Sequence, residues 1–261
     1  MAMDRWKKEE NKSEEKQFPI RVYVATPAYD GKVHTDYAVS LAESSMYAVN
    51  SGIHVTAAVM GNGAFIDLAR CNFAHMFLKT DCTHLMFIDA DLKWESRAFI
   101  GLLKSGRPIT AGVYRRRQEP ESYPVRYVEE KNGGLKVSEG GWIACDRVPT
   151  GFLCIERKVI EEMAADAIKI NQPESDSAIP RLFYTKITET NHFMGEDFCF
   201  CDDYTARYKE PIYVWPDFDF VHDGYPCNWH TYINKQVEAF DKGEIDEIDL
   251  VGKIPFAKDG K

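Results

Sequence analysis

Two aspartates with one residue between them, Asp89-Ala90-Asp91, follow an unbroken run of four apolar side chains, Leu85-Met86-Phe87-Ile88. Carboxylate oxygens are hard anionic donors of the kind Mg2+ and Mn2+ take. At the end of a buried strand, where ligands of open α/β sheets bind, they would hold a divalent cation against a diphosphate. They would thereby stabilise the charge that develops as the diphosphate leaves. The plain alternative is a solvated loop, because an isolated Asp-x-Asp is common. A second acidic pair, Gly195-Glu196-Asp197, opens a helical pattern. The dipole and free amides of a helix start favour acidic residues there without any chemistry. The sharper reading makes Asp197 a general base for an attacking hydroxyl, with Glu196 holding the acceptor. His222 follows Asp219-Phe220-Val221 near a strand end. It is either a structural imidazole or a neutral ligand to the same cation.

Two basic features stand apart from these. Asp67 and Arg70 are three residues apart on one helix, so they project from one side. They form either an exposed ion pair or a hold on a nucleotide or diphosphate near the strand tips. Arg115-Arg116-Arg117 is a solvated patch or a site for a diphosphate or a phosphorylated acceptor. Tyr123, Tyr127 and Trp142 either line a sugar groove or pack.

The elements that must position these groups alternate. Residues 21–25 read as a first strand, with a turn-rich loop Thr26-Pro27-Ala28-Tyr29-Asp30-Gly31 after it. A helix over 36–50 and a strand over 53–60 follow, then a helix over 64–79 with Phe65, Leu68, Phe73, Met76 and Phe77 on its inner face. Strand 84–88, helix 95–104 and strand 108–113 complete a βαβαβαβ pattern, which predicts a mostly parallel sheet flanked by helices. After Tyr114 comes a small antiparallel excursion, with hairpin arms at 123–129 and 135–138. Further on, the pattern predicts a buried strand entered from Thr150-Gly151, a helix over 156–167, a polar loop over 171–179 and a strand within 181–188. A helix opened by Gly195, a strand over 212–215 and a last helix over 228–240 complete it.

The chain has 261 residues, 44% hydrophobic, with a formal charge of −9, which suits one α/β domain and speaks against bulk nucleic-acid binding. Residues 1–17 read as a disordered or frayed tail, 18–240 as the domain and 241–261 as a charged, loosely attached tail. No apolar run approaches the roughly 20 residues of a membrane span. Seven scattered cysteines without a CxxC pair fit reduced thiols, and so a cytoplasmic compartment.

Taken in order, these motifs resemble a glycosyltransferase of the GT-A fold, close to the family-2-like group of bacteria and viruses. The features that carry the resemblance are Thr26-Pro27 after the first strand, Asp89-Ala90-Asp91, Thr150-Gly151-Phe152-Leu153 with Glu156-Arg157, Gly195-Glu196-Asp197, and Val221-His222 with Gly224. They span residues 20 to 225. The resemblance implies a Rossmann-like mostly parallel sheet and a nucleotide-diphosphate sugar donor, usually a UDP-sugar. It implies donor contacts from Thr26, Pro27, Ala28, Tyr29, Asp67, Arg70, Asp89 and Gly151. Asp89, Asp91 and His222 would hold Mn2+ or Mg2+. Asp197 would deprotonate a glycan or other hydroxyl acceptor, giving inversion. Sugar transfer to a modified DNA base is a minor alternative, carried by Arg115 to Arg117 alone. Two rivals stand beside this reading. A haloacid-dehalogenase-type phosphatase would use Asp89 as nucleophile, but it wants Thr or Val where Lys93 stands. A non-catalytic nucleotide-sugar-binding module would bind without turnover. A nucleotidyltransferase would want an early Gly-rich basic loop, which residues 26–31 do not resemble.

Overall fold

The computed structural model describes residues 18–61, 63, 65–130, 134–171 and 178–252. The expected tail over 1–17, most of the polar loop over 171–179 and the end of the charged tail lie outside them. In chain order the elements are β1 (Ile20–Ala28), α1 (Thr35–Asn50), β2 (Ile53–Gly61), α2 (Ile66–Leu78), β3 (His84–Ile88), β4 (Leu92–Trp94), α3 (Ser96–Leu103) and β5 (Ile109–Ala111). Then come β6 (Arg126–Tyr127), β7 (Ile143–Arg147), β8 (Phe152–Glu156), α4 (Arg157–Asp166), β9 (Lys169–Ile170), β10 (Ile179–Pro180), β11 (Lys186–Ile187) and β12 (Phe193–Met194). Last are α5 (Glu196–Tyr208), β13 (Ile212–Val214), β14 (Phe220–His222), β15 (Tyr225–Cys227) and α6 (Trp229–Asp241).

The main sheet has eight strands in the order β2-β1-β3-β8-β5-β13-β7-β6. β1 pairs in parallel with both β2 and β3, and β5 with β13. β8 and β7 run against their neighbours. This is the mixed α/β, mostly parallel arrangement that the alternation predicts. The chain leaves β1 towards β2 and then passes back beyond β1 to β3. Right-handed crossovers in opposite directions put α1 and α2 on opposite faces of the sheet. The gap between the ends of β1 and β3 is therefore a topological switch point, where open α/β sheets take their ligands.

Side-chain alternation along the strands builds two aromatic layers. Phe87, Phe183 and Phe200 follow one another on one face, Phe87 meeting Phe183 edge-on and Phe183 stacking on Phe200, with ring centroids 5.2 and 4.6 Å apart. On the other, Trp94, Phe152 and Phe220 follow one another at 5.6 and 5.0 Å. All six rings are buried.

Several elements differ from expectation, among them the following three. β1 does not end at Ala25 but runs on through Thr26, Pro27 and Ala28, because β2 continues beside it to Gly61. Beyond Ala25 it has a neighbour on one side only, the setting in which a strand tolerates proline. β4 has no local signal; it exists because it pairs with β14, His222 opposite Leu92 and Phe220 opposite Trp94. The strand expected within 181–188 is confined to Lys186–Ile187, which pairs with Phe193–Met194. The stretch 249–252, expected to be loosely attached, is held by several contacts. Trp229 Nε1 donates to Leu250 O at 2.8 Å and Tyr123 N to Val251 O at 2.6 Å.

Candidate active site

A cleft of about 700 Å³ opens at the switch point. Pro27, Ala28, Tyr29 and Asp30 line it from the end of β1, Ile66 and Arg70 from α2, and Asp89, Ala90 and Asp91 from the end of β3. Arg117 and Glu196 close it. Thr26 is not in its wall: it is fully buried beneath and shares a hydrogen bond with the Tyr37 hydroxyl. Asp67, Gly151, Asp197 and His222 are also absent from the lining.

Arg70 organises the floor. It is 3% exposed, and its partner is not Asp67. Nη2 donates to Asp89 Oδ1 at 3.0 Å and Nε to Glu196 Oε1 at 3.2 Å. The Asp67 carboxylate instead accepts from its neighbour's amide, Leu68 N, at 2.8 Å. Burial works against the guanidinium's charge, but Asp89 and Glu196 outweigh it and raise its pKa. Its Nη1 is buried and makes no hydrogen bond among the described residues. A buried charge with two carboxylate partners is costly to break, so Arg70 fixes the end of β3 against the start of α5.

Asp89 is fixed from its other side too. Its amide donates to Gly151 O at 2.9 Å, and the Tyr114 hydroxyl donates to its Oδ2 at 3.3 Å. A Cβ on Gly151 would lie 2.0 Å from the Tyr114 hydroxyl oxygen and 2.2 Å from Asp89 Oδ2. Glycine is therefore required there by space, and Gly151 lies behind Asp89. Tyr114 is the functional candidate that sequence reading missed. Its phenol is held well above its ordinary value, by burial first and then by Asp89, so it stays a proton donor. Its ring meets the His222 imidazole edge-on at 4.8 Å. In the sequence it shows only as the last apolar residue before Arg115.

Asp91 and His222 do come together, with Asp91 Oδ2 3.6 Å from Nε2. The β4–β14 pairing brings them there, and Asp223 N donates to Asp91 O at 3.1 Å. His222 Nδ1 must donate to Arg115 O, 2.7 Å away, because a carbonyl only accepts. That leaves Nε2 aimed at the carboxylate. Burial disfavours the imidazolium, yet Asp91 and the carbonyl raise the His222 pKa on balance. Burial likewise opposes the Asp91 charge, and His222 and Arg117 lower its pKa. A carbonyl behind one imidazole nitrogen and a carboxylate facing the other is also the way a metal-binding histidine is oriented. Asp91 and His222 are thus of the types, and so oriented, that would suit a divalent cation. Asp89 is turned towards Arg70 and Tyr114, and among the described residues no three His, Cys, Asp or Glu side chains converge as a metal site. The three-residue ligand set expected from sequence is to that extent not assembled.

Glu196 and Asp197 open α5 and divide their work. Glu196 faces Arg70 and the cleft. Asp197 Oδ1 folds back to accept from Phe198 N at 2.8 Å, and a Cβ on Gly195 would lie 2.8 Å from that oxygen. Its carboxyl is pushed up to about 6, by burial first and by the Glu196 charge second.

The triple arginine is not one patch. Arg115 is buried and donates to Gln118 O and Glu119, Arg116 Nε is buried, and only Arg117 reaches the cleft. No helix among the described residues is long and apolar enough to cross a membrane.

No family model and no curated protein matches the chain. Among solved structures it is similar to GalNAc-T7 with UDP, GalNAc and Mn2+, at 11% identity and a TM-score of 0.43, covering 79% of this chain and 45% of that one. The chain thus spans less than half the length of that relative. It is also similar to the inositol-1-phosphate CTP transferase from T. maritima, at 9% identity, TM-score 0.40 and coverage of 78% and 89%. A third is described as a mannose-1-phosphate geranyltransferase from Thermus thermophilus, at 12% identity, TM-score 0.38 and coverage of 82% and 78%. Likenesses this distant assign no activity.

Proposed function

We propose that the chain is a nucleotide-sugar-dependent glycosyltransferase of the GT-A kind, moving a sugar from a nucleotide-diphosphate donor, a UDP-sugar first among them, to an acceptor hydroxyl. The observation that carries this is one of convergence: Asp89 and Glu196, far apart in the chain, share one buried guanidinium beside a cleft that also receives Asp91. The end of β1 offers the nucleotide an apolar and aromatic wall in Pro27, Ala28 and the 79%-exposed Tyr29. Asp91 and His222 are the residues that would hold Mn2+ or Mg2+, which when bound supplies Lewis-acid stabilisation of the diphosphate. Arg70 keeps Asp89 and Glu196 in place. Asp197, with its carboxyl near 6, suits a base ionised at neutral pH yet basic enough to take a hydroxyl proton. Direct displacement with that base gives inversion.

The phosphatase reading fares worse, since both Asp89 oxygens are engaged by Arg70 and Tyr114 rather than offered to a phosphate. The test is a panel of nucleotide sugars with Mn2+, read first as protection against thermal unfolding and then as transfer or hydrolysis. A UDP-sugar is expected to raise the unfolding temperature only with metal present, and Asp91→Ala to abolish the effect. Binding without turnover would favour a non-catalytic module, and no protection by any nucleotide sugar would end the proposal.

A further inference from the structure

Arg117 is the member of the triple arginine that enters the cleft, and its contacts are unlike those of Arg70. Its Nη1 donates to Asp91 Oδ2 at 3.0 Å and lies 3.6 Å from Asp223 Oδ2. His222 Nε2 is 3.6 Å from the same Asp91 oxygen, and His34 Nδ1 is 3.9 Å from Asp223 Oδ1. One cationic nitrogen therefore stands between two carboxylates, beside the imidazole that faces one of them. Asp223 owes its place to a tight turn. It and Gly224 take φ of 49° and 86°, the left-handed pair of a two-residue hairpin between β14 and β15.

We infer that Arg117 is an exchangeable counter-ion of Asp91 and Asp223, which yields its place beside Asp91 to a divalent cation and moves onto the diphosphate that arrives with it. This rests on the reading of the cleft as a nucleotide-diphosphate site. A divalent cation offsets more of the carboxylate charge than Arg117 does. Two carboxylates carry two negative charges, one of which Arg117 offsets. A divalent cation offsets both and leaves the guanidinium free. Its planar fork matches the paired oxygens of a phosphate. The exchange is easy because the side chain is 54% exposed, and exposed ion pairs change an equilibrium only by a factor of a few. Arg70, buried between two carboxylates, has no such freedom.

The test uses the full chain with Arg117→Gln and Arg117→Lys variants. Mn2+ alone is titrated first and followed by loss of the free-ion paramagnetic resonance signal. Uridine diphosphate is then titrated by calorimetry at saturating Mn2+. The Gln variant is expected to bind Mn2+ roughly two- to fivefold more tightly than the parent and uridine diphosphate several-fold more weakly. The Lys variant should follow the parent for Mn2+ and lie between the two for the nucleotide. Mn2+ affinity that is unchanged or lower in the Gln variant overturns the inference, as does an absence of Mn2+ binding in parent and variants alike. Tighter Mn2+ binding with unchanged nucleotide affinity overturns the movement onto the diphosphate. Tighter Mn2+ binding with no nucleotide bound by any of the proteins supports the counter-ion exchange and overturns the nucleotide-sugar reading instead. If the Gln variant does not fold, Arg117→Met carries the same comparison.

Discussion

Asp197 combines two properties that pull against each other. Its folded-state pKa, about 6, lies above the ordinary carboxyl value, so the native state holds the proton more tightly than the unfolded chain. The associated stability is fully present below about pH 4 and is lost as pH rises through about 6. Ionised Asp197 is therefore a burden on the fold at neutral pH. Asp197→Asn is expected to raise the unfolding free energy at pH 7.5 by on the order of 1–2 kcal/mol, with little change near pH 4. Asn can still accept from Phe198 N. Under the proposed reaction the same variant keeps donor binding and loses roughly 100-fold or more in transfer, and the parent's transfer rate falls below about pH 6. Urea unfolding at the two pH values and a transfer assay check these together. Transfer by the Asn variant at the parental rate would remove Asp197 from the role of base.

At the scale of elements, the turn into β8 acts as a template for the end of β3. Gly151 O receives the Asp89 amide, and the missing Cβ leaves room for the Asp89 carboxylate and the Tyr114 hydroxyl. Gly151→Ala must push both aside. The expected result is a loss of about 1–3 kcal/mol of stability, the usual cost of overpacking, and nucleotide binding weakened at least tenfold with the far-ultraviolet circular dichroism unchanged. A variant with parental nucleotide affinity would show that the position of Asp89 does not matter for binding. The β4–β14 pairing works in the same way on Asp91 and His222. Its three residue pairs set which carboxylate meets the imidazole, and a slip of one residue would turn His222 to the other face.

At the scale of the molecule, the segment carrying Arg115 to Arg117 is pinned from a distance. Arg116 N donates to Ser122 O at 2.8 Å. The neighbouring Tyr123 ring lies among the Trp229 and Tyr232 rings of α6. Val251 O receives the Tyr123 amide, and Gly252 passes against Glu121 and Ser122. Gly252 has a φ of 77°, and a Cβ there would lie 2.4 Å from Glu121 O. Gly252→Ala is expected to cost about 1–3 kcal/mol, from left-handed backbone and overpacking together, measured by urea unfolding. A loss under about 0.5 kcal/mol, within the range of ordinary surface changes, would show that this stretch is as loosely attached as its composition suggests.

The sequence by itself determined the alternation of strands and helices, the emergence of Asp89 and Asp91 from a buried strand, and the acidic start of α5. These are local matters of side-chain period, burial and the charge preference of a helix end, each legible within a few residues. Asp67 and Arg70 show where such reading stops. Their spacing is right for an ion pair on one helix face, but the burial of Arg70 hands it to Asp89 and to Glu196, 126 residues away. Tyr114, the β4 strand and the division of Asp89 and Asp91 between Arg70 and His222 were likewise decided only by the tertiary structure. A buried charge or an unpaired strand takes the partner that desolvation and sheet register leave to it, and both depend on segments brought together from across the chain.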